Sequence, residues 1–516
     1  MERMSLRNRL NSLDGKSYGA YKSLKGSHDL GPLTLHIDRV QSDPYAPPSQ
    51  IRVTAPFDLR TASDVAAADV LTRRIASRLP RDLLIDAPGQ QILERTSVAF
   101  DRDEVEIRME AALPAQGRRI KGRAAADLLT QALPDAIGRA LDVDPAELHD
   151  AARLKVDQQS LRDQIPGAGL VAFVADGSIL PRRSGDSDEP LLDAVRFQSP
   201  DSLRHTFTLD SGRVVTGMGV PEGITVIAGG GFHGKSTLLR ALQFGVYDHV
   251  AGDGREFAVS VADAVSLRAE DGRAVNSVDI SAFINDLPSG ASTTAFSTPN
   301  ASGSTSQAAW LVEALEADSS CLLIDEDTSA TNFMIRDERM RQLVPDDREP
   351  ITPLLHRIAG LKQSLGVSTV VVTGGTSAFL DVADTVILMD AYLPVDATAR
   401  ARELAEPAPP LRGFDRPDAR KLRIDVAGRK PPQAKGRHTI RIGHGHLDLS
   451  ALDQLVHDSQ TRAVAGMLPS ISDALERGAT VPEACADALE KWPPGRSGRL
   501  ARPRQQELVF VVSHLR

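Results

Sequence analysis

The sequence predicts an α/β fold in which a central parallel sheet is flanked by an α+β N-terminal domain and a small C-terminal domain. Over residues 164–395, short apolar runs alternate with helical stretches; the runs are GLVAFVADG, GITVIAGGG, CLLIDED and STVVVTGG. Near-continuous apolar strands separated by helices are typical of a parallel sheet buried on both faces. A glycine-rich turn follows one of these strands, and an acidic pair ends another. We therefore expect the binding and catalytic residues in this central part.

The chain is predicted to divide into three domains, over residues 1–163, 164–437 and 438–516. In the first, SDVAAADVLTRRIASRL has helical spacing and EVEIRMEAAL alternates like a strand. A helix starting at DPAELHD ends before Pro166-Gly167, which indicates a boundary. Segment 405–436 is rich in proline and charge and is predicted to be an exposed connector. The last domain should contain a helix through SALDQLVHDSQTRAVAGML.

Composition excludes several classes of protein. The chain has 516 residues, 41% of them hydrophobic, and a formal net charge of −9, which argues against global disorder and small disulfide scaffolds. Only two cysteines are present, as is typical of a reducing compartment. No apolar run approaches the ~18–20 residues of a membrane helix, and MERMSLRNRLNSLDG has no secretory signal pattern. We therefore expect a cytoplasmic protein without membrane contact.

Basic residues are concentrated in a few segments despite the acidic total. The segment QGRRIKGR and the stretch 412–441 supply the candidate nucleic-acid contacts, which are Arg118, Arg119, Lys121, Arg123, Arg420, Lys421, Arg429 and Lys430. A third cluster lies in PPGRSGRLARPR, and Tyr18 and Tyr21 stand among lysines near the start. Two interpretations of the basic segments stay open: they are solvated loops, or they assemble into one polyanion-binding surface. For Tyr18 and Tyr21, the alternatives are ordinary packing and stacking on bases.

The segment 229-GGGFHGKST matches the phosphate-binding loop and lies between an apolar strand and a helix. Its glycines let backbone N–H groups turn toward phosphates, and the helix directs the positive end of its dipole at them. We expect Lys235 to reach the β- and γ-phosphates and the Ser236 hydroxyl to bind Mg²⁺. The candidate nucleotide-binding residues here are Gly229, Gly230, Gly231, Phe232, His233, Gly234, Lys235, Ser236 and Thr237.

Two further segments complete the predicted site. The strand in 321-CLLIDEDTSA ends in Asp325, which can hold Mg²⁺, and Glu326, which can orient the attacking water. Asp327 gives a third carboxylate, for which capping the turn or shaping the site is favoured over a part in the chemistry. In 301-ASGSTSQAAW, Ser302, Gly303 and Ser304 stand at a helix N-terminus, which suits an anion, although an ordinary helix cap has the same pattern.

The order of phosphate loop, serine-glycine turn and Asp-Glu strand resembles that of ABC-type ATPases. More closely, almost the whole chain resembles the bacterial "predicted ATPase of the ABC class" family, in segments such as DGKSYGAYKSLKG, GLVAFVADGSILPRRSG, IDEDTSATNFMIRD and DVADTVILMDAY. The resemblance implies a cassette with accessory domains and a site for ATP and Mg²⁺. A eukaryotic relative belongs to a mitochondrial RNA-editing machinery and is regarded as RNA-binding, which favours the polyanion interpretation.

The resemblance also implies roles for single residues. Lys235 and Ser236 would hold phosphate and metal, Asp325 the metal, and Glu326 the catalytic water. Ser302 and Gly303 would contact the γ-phosphate of ATP bound to the other subunit, so the chain should form a head-to-tail homodimer around two ATP molecules. Residues 328–331 take the place of the D-loop, which crosses that interface.

Three features depart from the family pattern or stay open. Gly374 stands where ABC ATPases usually carry a switch histidine, so we expect either slow hydrolysis or another group that stabilises the transferring phosphate. RAEDGR, with Glu270 and Asp271, is either the glutamine-loop counterpart or an acidic surface loop. Phe207 precedes Gly229 by 22 residues and either stacks on adenine or belongs to the core.

The sequence therefore predicts an ATPase that binds and slowly hydrolyses ATP, dimerises around it and couples this cycle to nucleic-acid binding, with RNA favoured over DNA. The alternatives are an ATPase that remodels a protein or ribonucleoprotein assembly, and an ATP-gated scaffold that does not hydrolyse.

Overall fold

The computed structural model of the chain describes residues 5–58, 60–337, 342–344, 348–426 and 430–515. It contains two compact units, one formed by residues 1–156 and 493–502, the other by residues 157–492 and 503–516. Among the described helices, none combines the length and the apolar character that a bilayer-spanning segment needs.

The N-terminal unit is built on an antiparallel six-stranded sheet in the order β1-β2-β3-β7-β4, with β6 paired to β7. Its strands are β1 (Gly26–Asp29), β2 (Thr34–Arg39), β3 (Ser49–Pro56), β4 (Leu83–Leu84), β5 (Gln91–Ile92), β6 (Val98–Asp101), β7 (Glu104–Ala111), β8 (Ala115–Gln116) and β9 (Arg119–Ile120). Its helices are α1 (Leu6–Ser12), α2 (Asp64–Ala76), α3 (Gly122–Asp127), α4 (Leu133–Leu141) and α5 (Pro145–Gln164), which continues into the second unit. The predicted alternating strand EVEIRMEAAL is confirmed as β7, which buries every second side chain.

The second unit contains two larger sheets. Its strands are β10 (Leu170–Ala175), β11 (Arg204–Thr208), β12 (Val214–Pro221), β13 (Ile224–Gly229), β14 (Asp248–His249), β15 (Ala258–Ser260), β16 (Val265–Leu267), β17 (Val275–Val278), β18 (Phe296–Thr298), β19 (Cys321–Asp325), β20 (Ser368–Val372), β21 (Thr385–Asp390), β22 (Leu393–Asp396), β23 (Gln433–Ala434), β24 (Thr439–Ile442) and β25 (Gly445–Asp448). Its helices are α6 (Lys235–Phe244), α7 (Gly303–Glu316), α8 (Thr331–Met334), α9 (Ile358–Leu365), α10 (Thr398–Leu404), α11 (Asp458–Glu476), α12 (Val481–Glu490) and α13 (Gln505–Ser513).

The predicted parallel sheet is confirmed, in the order β16-β19-β20-β13-β21-β22. The first five strands are parallel, and β22 returns antiparallel to β21. The prediction that GLVAFVADG joins this sheet is wrong, because it forms β10 of a separate antiparallel sheet, β11-β12-β10-β15. A fully buried strand has the same continuous apolar pattern in either kind of sheet, so periodicity could not separate them.

The C-terminal region packs into the same hydrophobic core as the parallel sheet. Residues 405–419 are mostly exposed, as predicted, apart from the buried Phe414, but the prediction of an exposed connector is wrong for residues 420–426, where Leu422, Ile424 and Val426 are buried in that core. The helix predicted from SALDQLVHD begins only at Asp458, with His457 as its N-cap.

Candidate nucleotide-binding site

The phosphate-binding loop connects β13 to α6 at the carboxyl edge of the parallel sheet. Gly229 ends the strand with φ 144°, and a Cβ at this position would lie 2.6 Å from the carbonyl oxygen of Met389. Only glycine fits there, because the backbone is in a region that L side chains avoid and another strand passes close by. Phe232 also has positive φ and is 98% exposed at the tip of the loop. The sequence prediction of a strand, loop and helix in this order is confirmed.

The ammonium group of Lys235 lies against the backbone of the phosphate loop. Its Nζ donates hydrogen bonds to the carbonyl oxygens of Gly229 at 2.7 Å and Gly230 at 2.8 Å. Ser236 and Thr237 follow in the first turn of α6, where Ser236 is exposed. Backbone N–H groups at a helix start, one ammonium and two hydroxyls form a donor set that suits a triphosphate and a hard cation. The residues present therefore fit a nucleotide with Mg²⁺.

The acidic pair lies at the end of β19, whose last residue is Asp325, two strands away from the strand that precedes the phosphate loop. Asp325 accepts a hydrogen bond from the backbone N–H of Asp327 at 3.1 Å, so this carboxylate caps the turn. Glu326 Oε2 accepts hydrogen bonds from Thr373 Oγ1 at 2.8 Å and from the backbone N–H groups of Gly374 and Gly375 at 2.9 and 3.1 Å. These bonds hold the carboxylate against the turn that follows β20.

The donors of this turn change the acidity of Glu326. Partial burial alone would raise its pKa, but the hydrogen bonds from residues 373–376 outweigh burial, and the pKa of Glu326 lies below its usual range. Glu326 is therefore an ionised carboxylate at neutral pH. Thr373 was missed by sequence reasoning, because a threonine at the end of an apolar β-strand is indistinguishable from a structural residue.

The turn after β20 brings Glu326 and Lys235 to the same site. A Cβ on Gly374 would lie 3.3 Å from Lys235 Nζ, and a Cβ on Gly375 would lie 2.9 Å from Glu326 Oε1. The backbone of this turn, rather than a histidine side chain, thus faces both the ammonium and the carboxylate. A Cβ at Gly374 would meet only the flexible end of the Lys235 side chain, so the space available does not by itself explain the glycine at this position.

The serine-glycine turn lies at the start of α7 and is open to solvent at its tip. Ser302 is the exposed N-cap residue, and its Oγ lies 3.0 Å from Thr305 Oγ1. Gly303 and Ser304 are partly buried. Gln307, one turn into the helix, donates to Ser329 Oγ at 2.9 Å and accepts from the backbone N–H of Ala330 at 2.8 Å. This buried glutamine couples the turn to residues 328–331 and was missed, although a polar residue in a helix as apolar as AAWLVEAL was a signal.

Packing decides the alternative at Phe207 but not the one at RAEDGR. Glu270 Oε2 lies 2.9 Å from His514 Nε2, and its backbone N–H donates to Ser306 Oγ at 2.9 Å. Glu270 is therefore held by His514 and by α7, whereas Asp271 is exposed, so both interpretations of RAEDGR stay open. Phe207 is buried and makes an edge-to-face contact with Phe173, with ring centroids 5.3 Å apart, so the core interpretation is confirmed.

The candidate nucleic-acid contacts differ in exposure. Arg118, Arg119, Lys121, Arg123, Lys421 and Lys430 are exposed. The prediction is wrong for Arg420, whose guanidinium is buried and lies 2.6 Å from Glu316. Arg429 lies outside the described residues.

Residues of the third basic cluster and the two N-terminal tyrosines make contacts within the protein. In the third basic cluster, Arg499 pairs with Glu110 and Arg504 with Glu507. Tyr18 and Tyr21 are buried against each other, which confirms that they pack rather than stack on bases.

Comparison with known proteins yields three family matches and one relative. A model described as the ABC ATPase P-loop domain matches residues 144–418, one described as the N-terminal domain of ATPases of the ABC class matches residues 3–143, and one described as the MRB1590 C-terminal domain matches residues 432–516. The chain is also similar to an uncharacterized protein of Methanocaldococcus jannaschii, MJ1628, with 30% identity over 228 residues, which covers 40% of this chain and 49% of that protein. The chain thus spans about half the length of this relative.

Proposed function

The chain belongs to the ABC class of P-loop ATPases, and from this premise we propose that it binds ATP with Mg²⁺ and hydrolyses it slowly. The observation that carries the proposal is the turn at Gly374 and Gly375, which donates hydrogen bonds to Glu326 and lies beside the ammonium group of Lys235 at the phosphate loop. Phosphoryl transfer depends mainly on positioning and on neutralising charge, and these groups supply both.

Each group has a defined part in the proposed reaction. When ATP enters, Lys235 exchanges the carbonyl oxygens of Gly229 and Gly230 for the β- and γ-phosphates. Ser236 and Asp325 are the residues that would hold Mg²⁺, which neutralises charge on the phosphate oxygens. Glu326 is ionised and takes a proton from the attacking water. Because three donors already engage Glu326 Oε2, its basicity is reduced, which supports slow turnover.

We also infer a homodimer that closes around ATP. Ser302 at the tip of α7 and Phe232 at the tip of the phosphate loop are both exposed. Single exposed apolar side chains are common on protein surfaces, so Phe232 supports the dimer only through its position on the phosphate loop that the partner's serine-glycine turn would face. In the proposed dimer, Ser302, Gly303 and Ser304 of one subunit contact the γ-phosphate held by the other subunit, and Phe232 packs against that subunit.

Replacing Phe232 by serine tests the dimer. We expect Phe232→Ser to weaken dimer formation in Mg²⁺-ATP about 10-fold, the effect of losing one anchoring aromatic side chain. Light scattering after size-exclusion chromatography measures the dimer, and nucleotide affinity is measured separately. Leu192→Ser is the matched control, because Leu192 is an exposed apolar residue that is not part of the phosphate loop. Equal dimer formation by Phe232→Ser and the wild type would contradict this role.

For the nucleic acid, we propose that the exposed cations Arg118, Arg119, Lys121 and Arg123 bind the phosphates of single-stranded RNA. These four residues follow one another closely on the surface of the N-terminal unit, and Arg118 is 78% exposed even though it pairs with Asp43. Phosphate contacts need exposed cations rather than a positive net charge.

Filter binding across a salt series tests the RNA proposal. Replacing Lys121 and Arg123 by glutamine should reduce the slope of log affinity against log salt concentration by roughly 1.4. Each phosphate contact contributes about 0.7 to that slope for single strands. The control Arg183→Gln/Arg400→Gln removes the same charge from two exposed, glutamate-paired positions and should keep the wild-type slope. If the wild type binds neither RNA nor DNA at low salt, the remodelling of a protein assembly becomes the better proposal.

A further inference from the structure

The hairpin turn between β21 and β22 has an unusual backbone next to the phosphate loop. Asp390 pairs with Leu393, so the turn consists of Ala391 and Tyr392, with φ of 44° and 71°. Two-residue turns of this kind favour Asn-Gly or Asp-Gly, because both positions need positive φ. An alanine followed by a tyrosine is therefore unfavourable for the turn itself, and such residues persist where the side chain serves another purpose.

This turn is hydrogen-bonded to the phosphate loop. The backbone N–H of Ala391 donates a hydrogen bond to His233 Nδ1 at 3.0 Å. A Cβ on Gly234 would lie 3.4 Å from Cδ1 of Tyr392, so the edge of the ring lies beside the last residue of the loop. The tyrosine nevertheless remains 52% exposed. The aromatic ring of Tyr392 thus lies beside the phosphate loop and is accessible to a ligand.

The order of the strands gives the direction in which a bound nucleotide extends. The phosphate loop follows β13, which lies between β20 and β21. The carboxylates of Asp325 and Glu326 and the Gly374 turn all lie on the β20 side, so the metal and the terminal phosphates face that side. The nucleoside end then extends to the opposite side, over the turn between β21 and β22.

We propose that Tyr392 is the stacking platform for the base of the bound nucleotide. The proposal rests on the proposed ATP site and adds the base subsite to it. Phe207 is buried against Phe173, so that ring is not available for stacking. Stacking on a single ring accepts every base and is stronger for a larger one. We therefore expect purine nucleotides to bind more tightly than pyrimidine nucleotides, with little distinction between adenine and guanine.

Equilibrium binding of ATP and of inorganic tripolyphosphate tests the platform. Tyr392→Asn removes the ring while tolerating the positive φ. We expect it to lower ATP affinity about 5- to 100-fold, the range for loss of one stacked base, and to leave tripolyphosphate affinity unchanged. Tyr392→Phe should bind both ligands like the wild type. Tyr45→Asn, at an 84% exposed tyrosine in the N-terminal unit, is the control.

The outcomes separate this inference from the proposed function. Wild-type protein that binds neither ATP nor tripolyphosphate would contradict the ATP site itself. Wild-type binding of both ligands together with unchanged ATP affinity in Tyr392→Asn would overturn only the platform. An equal loss of ATP and tripolyphosphate affinity in Tyr392→Asn would also overturn it, because the ring would then support the loop rather than the base.

Discussion

Replacing Glu326 by glutamine is expected to lower ATP turnover about 100- to 10,000-fold, the range attributed to a positioned general base. Glutamine keeps an oxygen that can accept hydrogen bonds from Gly374 and Gly375, so the geometry of the site should survive. It lacks the charge needed to take a proton from water. Glu326→Gln should therefore bind ATP normally and accumulate as an ATP-bound dimer. Phosphate release at saturating Mg²⁺-ATP and light scattering are the two measurements.

Asp327→Asn provides the matched control for this prediction. Asp327 is the next carboxylate along the chain and is exposed, and only its backbone N–H contacts Asp325 in the described hydrogen bonds. We expect its turnover to stay within a few-fold of the wild type. Unchanged turnover in Glu326→Gln would refute the role of Glu326 as base. Wild-type protein that dimerises with ATP without releasing phosphate would support the non-hydrolysing scaffold instead.

The phosphate loop, the acidic pair and the parallel sheet could be predicted because their chemistry is local. The backbone N–H groups of residues 229–237 must point toward phosphates. This requires consecutive glycines followed by a lysine and a serine, which are readable in the sequence. Asp325 and Glu326 likewise follow directly from a strand end. Thr373 could not be assigned in this way, because its partner Glu326 is distant in sequence, and for Gln307 the sequence shows its polarity in an apolar helix but not its partner Ser329.

The wrong predictions came from properties that depend on tertiary packing. Proline and charge in 405–426 favoured an exposed connector, yet Leu422, Ile424 and Val426 alternate with polar residues and are buried. This period of two was a readable sign of one buried face, and the charge of the segment concealed it. Arg420 belongs to the same segment. A single sequence does not show whether an arginine meets solvent or a buried carboxylate, so its role had to come from the fold.

Arg420 belongs to a buried network of charges beneath α7. Its Nη2 donates to Glu316 Oε2 at 2.6 Å and to Ser513 Oγ at 2.7 Å, and its Nη1 donates to the carbonyl oxygen of Asn276 at 2.8 Å. The side chains of Arg420 and Glu316 are 8% and 1% exposed. Glu313 and Arg273 form a second buried pair beside them, with 2.9 Å between the charged atoms.

Arg420→Ala is expected to destabilise the second unit by about 3–5 kcal/mol, because the buried carboxylate of Glu316 would lose its compensating charge. The neighbouring Lys421 is exposed, and Lys421→Ala should change stability by no more than about 0.5 kcal/mol. Urea unfolding followed by tryptophan fluorescence measures both, since Trp310 lies in α7 within the same core. If Arg420→Ala keeps wild-type stability but loses RNA affinity, the surface role predicted from sequence would be restored. If it unfolds early and the folded fraction still binds RNA normally, Arg420 acts by fixing α7, and with it the Ser302 tip that the proposed dimer requires.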